Sequence, residues 1–246
     1  MNTSINVIFL ILALLAEILG TLGGFGSSVF FVPIANFYFD FQTVLGLTAL
    51  FHLSSNLSKI ALFKKGLDKR LIIIMGLPAI IFVVIGGVLS NYFDTILLEI
   101  FLGVFLLILS LLFLLKPKLQ IRDGNKEAVS GGVISGFLAG FLGTGGAVRG
   151  LTMAAFNLEK SVFIATSAII DFGVDFSRTI VYFINGYIHK HDLIYVPFLF
   201  LIGFIGTYFG KRILHFIPQE KFRTLSLLLI FVIGIITILS VIFNSK

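Results

Sequence analysis

Seven ionisable residues stand inside long apolar runs: Glu17, His52, Lys59, Arg149, Asp171, Asp175 and Arg178. A charge at a bilayer centre costs roughly 2.5–3.5 kcal/mol even on the lenient insertion scale, so such residues face a bundle interior and mark a site. His52, Asn56 and Lys59 recur at i, i+4 and i+7, on one helical face. Asp171, Asp175 and Arg178 repeat that spacing in the second half of the chain. Two carboxylates one turn apart repel, so one of Asp171 and Asp175 can hold a proton near neutral pH, as a coupled carrier needs. The competing reading is that Arg149 and Arg178 neutralise both. The planar fork of Arg149 suits a tetrahedral or pyramidal oxyanion. Against that stands a plain ion pair with Asp171 or Asp175. Lys59 and Arg178 are open between site roles and snorkelling to an interface. Glu17 can simply flank a half-helix end, and His52 reads as a hydrogen-bonded site residue rather than a metal ligand.

Two glycine-rich stretches have to position these groups. Leu19 to Pro33 reads LGTLGGFGSSVFFVP, and Ala139 to Leu151 reads AGFLGTGGAVRGL. Gly20, Gly23 and Gly26 match Gly140, Gly143 and Gly146 at one offset. The same offset, within a residue, pairs His52 with Asp171, Asn56 with Asp175, Lys59 with Arg178, Pro78 with Pro197 and Gly87 with Gly206. Broken helices at matching places in two halves point to a transport site near the membrane midplane. A helix that stops there leaves N–H and C=O groups that lipid cannot satisfy. Its N-terminus offers free N–H groups and the positive dipole end to an anion. Gly23, Gly24, Gly26, Ser27 and Ser28 in the first break are therefore candidate binding residues. Gly143, Thr144, Gly145 and Gly146 are their counterparts in the second, with Arg149 one turn beyond. Close helix packing through small residues is the alternative use of such glycines.

Composition agrees with a membrane setting. The chain has 246 residues, 58% hydrophobic and 12% charged, and a mean hydropathy of +1.09. A water-soluble domain cannot cover that much apolar surface. An all-α polytopic membrane protein is expected, in two homologous halves. Residues 1–115 form the first repeat, 116–127 a cytoplasmic linker and 128–246 the second repeat. Each repeat has a glycine-broken helix followed by three transmembrane helices. Each broken segment is either one interrupted crossing, giving parallel halves, or a re-entrant hairpin, giving inverted halves. Loop charge favours inversion. Lys64–Arg70 and the linker are basic and belong inside, while in the second half the basic turn has moved to Lys211–Arg223.

No soluble-enzyme motif, P-loop or carboxylate–histidine metal motif occurs, so neither an enzyme nor a cofactor is expected. The net charge of +6 sits mostly in short loops and is no nucleic-acid signal. There is no Cys, hence no disulfide and no thiolate metal site. His189 and His191 flank Lys190 in a loop, too little by themselves for a metal site.

The breaks Gly23-Gly24-Phe25-Gly26-Ser27-Ser28, followed by Pro33, and Gly143-Thr144-Gly145-Gly146 open halves of about four hydrophobic segments. In this the chain resembles the sulfite exporter TauE/SafE family of membrane transporters along nearly its whole length. It departs from the pattern where Arg149-Gly150 replaces an expected proline. The resemblance implies a multi-pass protein of the cytoplasmic membrane that moves small anions such as sulfite, sulfonates or other sulfur-containing acids. Alternating access with protons as a coupling ion is the first reading. A passive anion channel and a cation-coupled carrier of another solute remain alternatives.

The chain's lack of cysteine makes its topology testable. Single cysteines introduced at residues 2, 68 and 244 should react with a membrane-impermeant maleimide in the order the inverted arrangement dictates. Residues 2 and 244 label from outside, and 68 only after permeabilisation. Labelling of 68 from the same side as 2 and 244 would support parallel halves.

Overall fold

The computed structural model describes residues 5–23, 26–63, 66–117, 119, 121–213 and 219–244. Among them the regular structure is entirely helical. Helix α1 (Val7–Gly23) is followed by the short α2 (Ser28–Ala35) and the long α3 (Phe41–Leu62). Then come α4 (Lys69–Ile74), α5 (Gly76–Ser90) and α6 (Thr95–Leu115). The second half runs α7 (Asn125–Phe141), α8 (Gly146–Ala154), α9 (Lys160–Ile184), α10 (Val196–Ile213) and α11 (Gln219–Asn244), with a 3-10 turn at Asp192–Tyr195 before α10. Both expected breaks are present. α4 and α5 are two pieces of one apolar stretch that meet at Met75. Gly24, Lys64 and Lys65 lie outside the described residues.

Local chemistry sets the helix starts. Asp40, Asp68 and Asp94 each accept a hydrogen bond from the backbone N–H three residues on, at 3.0, 3.0 and 2.8 Å. These are N-caps that satisfy one of a helix's orphan donors. At the breaks, Gly26 and Gly143 have φ of +79° and +75°, a conformation that disfavours any side chain.

The broken segments are hairpins. The Phe9 ring, near the start of α1, lies 5.1 Å from Phe39, which follows α2. The chain therefore returns alongside itself after the break. Likewise Gly145 abuts the backbone of Ser135 and Ala139, and Gly131 abuts Thr152, so α8 runs back along α7.

The packing has a definite pattern of directions. α1 lies parallel to α10, with Glu17 against Gly206 and Thr21 against Gly210. α7 lies parallel to α5, with Gly132, Gly136 and Gly140 against the carbonyls of Met75, Ala79 and Val83. Gly140 thus serves packing and not the break. α3 and α9 are antiparallel: Gly46 meets Tyr187, and Asn56 meets Asp175. α6 and α11 are antiparallel too, Gly103 meeting Ile238 and Leu107 meeting Gly234. These contacts map onto one another when α1 to α6 are exchanged for α7 to α11.

One end of the bundle gathers the basic loops. Lys211 donates to the Leu62 carbonyl at 2.8 Å, Arg70 bonds Asn125, and the Asp68 N–H bonds Thr166 at 2.9 Å. At the other end the Asn6 N–H bonds the Tyr195 hydroxyl at 3.2 Å, and Asn185 bonds the Gly87 carbonyl at 2.9 Å. The apolar stretches Lys69–Ser90, Thr95–Leu115, Asp192–Ile213 and Thr224–Phe243 are long enough to cross a membrane. Their outer faces expose Ile81, Ile108, Leu201 and Leu239, as a lipid-facing surface should. α3 and α9, also long enough, carry the polar residues inside.

The glycine ladder on α7 makes a stability prediction. A side chain at Gly136 would strike the Ala79 backbone, so Gly136→Leu should cost about 1–3 kcal/mol. In detergent its thermal midpoint should fall by several degrees. Ile134→Leu, on the exposed face of the same helix, should leave the midpoint unchanged.

Candidate functional site

The two hairpin tips meet in the middle of the bundle. A Cβ at Gly26 would sit 3.5 Å from the Gly146 Cα, and the Ser28 hydroxyl lies 3.1 Å from that of Thr144. α2 starts at Ser28 and α8 at Gly146, so the N-terminal ends of both helices gather at this junction. A cavity of about 30 Å³ lies there, room for about two waters. Gly26, Ser27, Ser28, His52, Lys59, Gly143, Gly145, Gly146, Arg149, Asp171, Asp175 and Arg178 line it. A second cavity of about 50 Å³ shares Gly26, Lys59, Gly146, Arg149 and Asp171 with the first and adds Thr21 and Ser167. Of the other sequence candidates, Gly23 ends α1, and Asn56 and Thr144 are buried behind the wall. Gly24 is outside the described residues.

The buried charges form three pairs. Glu17, fully buried, lies 3.1 Å from the Lys59 ammonium. It also accepts from Thr21, Ser27, Ser55 and Thr207 at 3.2, 2.6, 2.5 and 3.0 Å. Lys59 donates to Ser55 at 2.6 Å, so it neither snorkels nor stands free. Ser27 gives its proton to Glu17, so its oxygen faces His52 Nε2, 3.2 Å away, as an acceptor.

Arg178 pairs with Asp175 at 2.7 Å, and Asn56 donates to the same carboxylate at 2.6 Å. Its guanidinium also donates to the carbonyls of Ala139 and Gly143 at 3.0 and 2.9 Å. The Tyr182 hydroxyl bonds the Gly140 carbonyl at 2.7 Å. Arg178 and Tyr182 thus close the C-terminal end of α7, where orphan carbonyls and the negative dipole end favour a cation. One atom of this cap, Arg178 Nε, is buried without a hydrogen-bond partner among the described residues.

Arg149 pairs with Asp171, and its Nε donates to Ser167 at 3.2 Å. The partners differ in access. The Arg149 side chain is 4% exposed and that of Asp171 21%. The arrangement where Arg149 and Arg178 each neutralise one carboxylate is the one the folded chain adopts.

In the sequence Glu17 reads as a residue beside a half-helix end, and Ser55, Thr207, Ser167 and Tyr182 join the site only in the folded chain. Ser55 stands four residues before Lys59 and Tyr182 four after Arg178, a helical spacing that signals contact. Thr207 reaches Glu17 from α10 and left no local signal.

A model of the family described as "Sulfite exporter TauE/SafE" matches residues 9–237. The "Probable membrane transporter protein MJ0441" of Methanocaldococcus jannaschii is 29% identical over 182 residues, 66% of this chain and 67% of its own length.

The Glu17–Lys59 pair can be tested on its own. Removing one partner of a buried pair strands the other, at a cost of about 3–5 kcal/mol. Glu17→Gln should therefore lower the unfolding midpoint sharply in detergent. Adding Lys59→Met to the same chain should restore most of the loss.

Proposed function

The chain belongs to the sulfite exporter TauE/SafE family, a family of multi-pass membrane transport proteins, and on that premise we propose that it carries a small anion through the paired hairpin tips. The substrate class is sulfite, a sulfonate or another sulfur-containing organic acid, moved across the cell membrane by alternating access. The observation that carries this reading is the meeting of two helix N-termini at one cavity walled by Arg149. Amide N–H groups, the hydroxyls of Ser27 and Ser28, and a guanidinium fork are the donors an oxyanion needs. The unpartnered Arg178 Nε adds another at the wall.

We also propose that the halves, residues 1–115 and 128–246, are inverted repeats. The support is that α3 and α9, which correspond, run antiparallel, as do α6 and α11. An axis in the membrane plane produces that relation.

Asp171 is the substrate's competitor in this scheme. It occupies the Arg149 fork from its more exposed side, and the cavity is too small for a sulfur oxyanion until the pair opens. The cluster holds three carboxylates and three cationic side chains, so an entering anion leaves it one negative charge in excess. A proton on the released Asp171 restores balance, which links anion and proton movement. A cation carrier is less well supported, because each carboxylate of the cluster already holds a cationic partner.

In reconstituted vesicles, Arg149→Ala should abolish sulfite or sulfonate flux while the protein stays monodisperse. Asp171→Asn should bind the anion at least tenfold more tightly by calorimetry and lose the response of flux to an imposed pH gradient. Unchanged flux in the first variant would remove Arg149 from the site. Unchanged affinity in the second would remove the competitor role.

A further inference from the structure

The loop between α9 and α10 carries His189, Lys190, His191 and Asp192, far from the central cavity, at the end of the bundle with few basic loops. We propose that His189, His191 and Asp192 bind a divalent transition-metal ion, with Zn²⁺ as the best match. The Asp192 N–H bonds back to the His189 carbonyl at 3.1 Å, a tight turn that brings alternate residues together. The two imidazoles stack, centroids 5.4 Å apart and planes 24° apart, and both face one carboxylate. His189 Nδ1 lies 3.3 Å from Asp192 Oδ2, and His191 Nε2 lies 3.3 Å from Asp192 Oδ1. One ligand atom from each residue lies within 4.8 Å of the other two.

These distances are long for charge-assisted hydrogen bonds, which run to roughly 2.7–2.9 Å. They run to different carboxylate oxygens, and with one ligand atom of each residue within 4.8 Å of the others, small side-chain rotations bring the three around a metal ion with bonds of about 2.0–2.1 Å. A second observation points to a missing cation. Asp192 is buried, its side chain 6% exposed, and its Oδ2 accepts no hydrogen bond among the described residues. An anionic oxygen in that state is costly, and a cation on it removes the cost.

The surroundings fit. The Thr43 hydroxyl donates to Asp40 at 2.7 Å, so its oxygen faces His189 Nδ1, 3.2 Å away. Metal binding takes the Nδ1 lone pair, with the ring proton on Nε2, and releases the Thr43 contact. Two imidazoles select Zn²⁺ or its neighbours over Mg²⁺ and Ca²⁺, which prefer oxygen. Three protein ligands leave a fourth position for water.

The site would tie the exit of α9 to the start of α10. α9 holds Asp171, Asp175 and Arg178, so an occupied site would stiffen a part that transport must move. The positive-inside bias puts this face outside the cell. The metal site itself does not depend on the anion reading.

The test uses the full chain without an affinity tag, in detergent. Calorimetry with ZnCl2 should give one site of micromolar or tighter affinity, with a rise in the thermal midpoint. MgCl2 should give neither. Co²⁺ should bind with the intense visible bands of a four-coordinate ion. His189→Ala with His191→Ala should weaken Zn²⁺ binding at least 100-fold and leave the metal-free midpoint near wild type. If that double variant fails to fold, His191→Ala alone, whose ring is mostly exposed, carries the same comparison. Zn²⁺ binding unchanged by these substitutions, weak six-coordinate Co²⁺ spectra, or no binding would overturn the proposal.

Discussion

Everything in this protein answers to the cost of leaving a helix end unfinished in a low-dielectric interior. A hairpin tip exposes amides at one helix start and carbonyls at another helix end, and lipid offers neither a partner. The chain resolves the carbonyl side itself. Arg178 and Tyr182 reach from α9 to the last carbonyls of α7. The two helix starts, at Ser28 and Gly146, meet instead around a cavity of about 30 Å³. Helix N-termini turned toward one cavity bring the positive dipole end that suits an anion.

The buried charges follow from the same cost. A lone ion in this interior is expensive, and a pair is tolerable only when every lone pair and proton is satisfied. Glu17 meets that condition most fully, with four hydroxyls and one ammonium. The Arg149–Asp171 pair is less enclosed on its acidic side. Within one neutral cluster, then, one pair is braced by many partners and another keeps its acidic side partly exposed.

Glycine serves two distinct ends in the two halves. At Gly26 and Gly143 it allows a positive φ, and the hairpin turns there. At Gly132, Gly136 and Gly140 it allows α7 to lie against the carbonyls of α5. From spacing alone Gly140 reads as part of the break, because it matches Gly20. Its neighbour on α5 is decided only when the two helices meet.

Apolar length, glycine spacing and the polar i, i+4, i+7 faces are properties of a local helix, so residue order alone determined the membrane class, the two breaks and the interior position of His52, Asn56, Lys59, Asp171, Asp175 and Arg178. Periodicity specifies a face, and burial cost specifies that the face looks inward. Which charge meets which is a different matter. Spacing alone does not choose between Asp171 and Asp175 as the partner of Arg149, and Glu17 has no visible partner at all. Packing decided that α3 delivers Lys59 and Ser55 to Glu17, that α10 delivers Thr207, and that each broken segment turns back along itself. Those outcomes depend on distances between segments far apart in the chain, and electrostatic and steric forces act on distance, which sequence position does not encode.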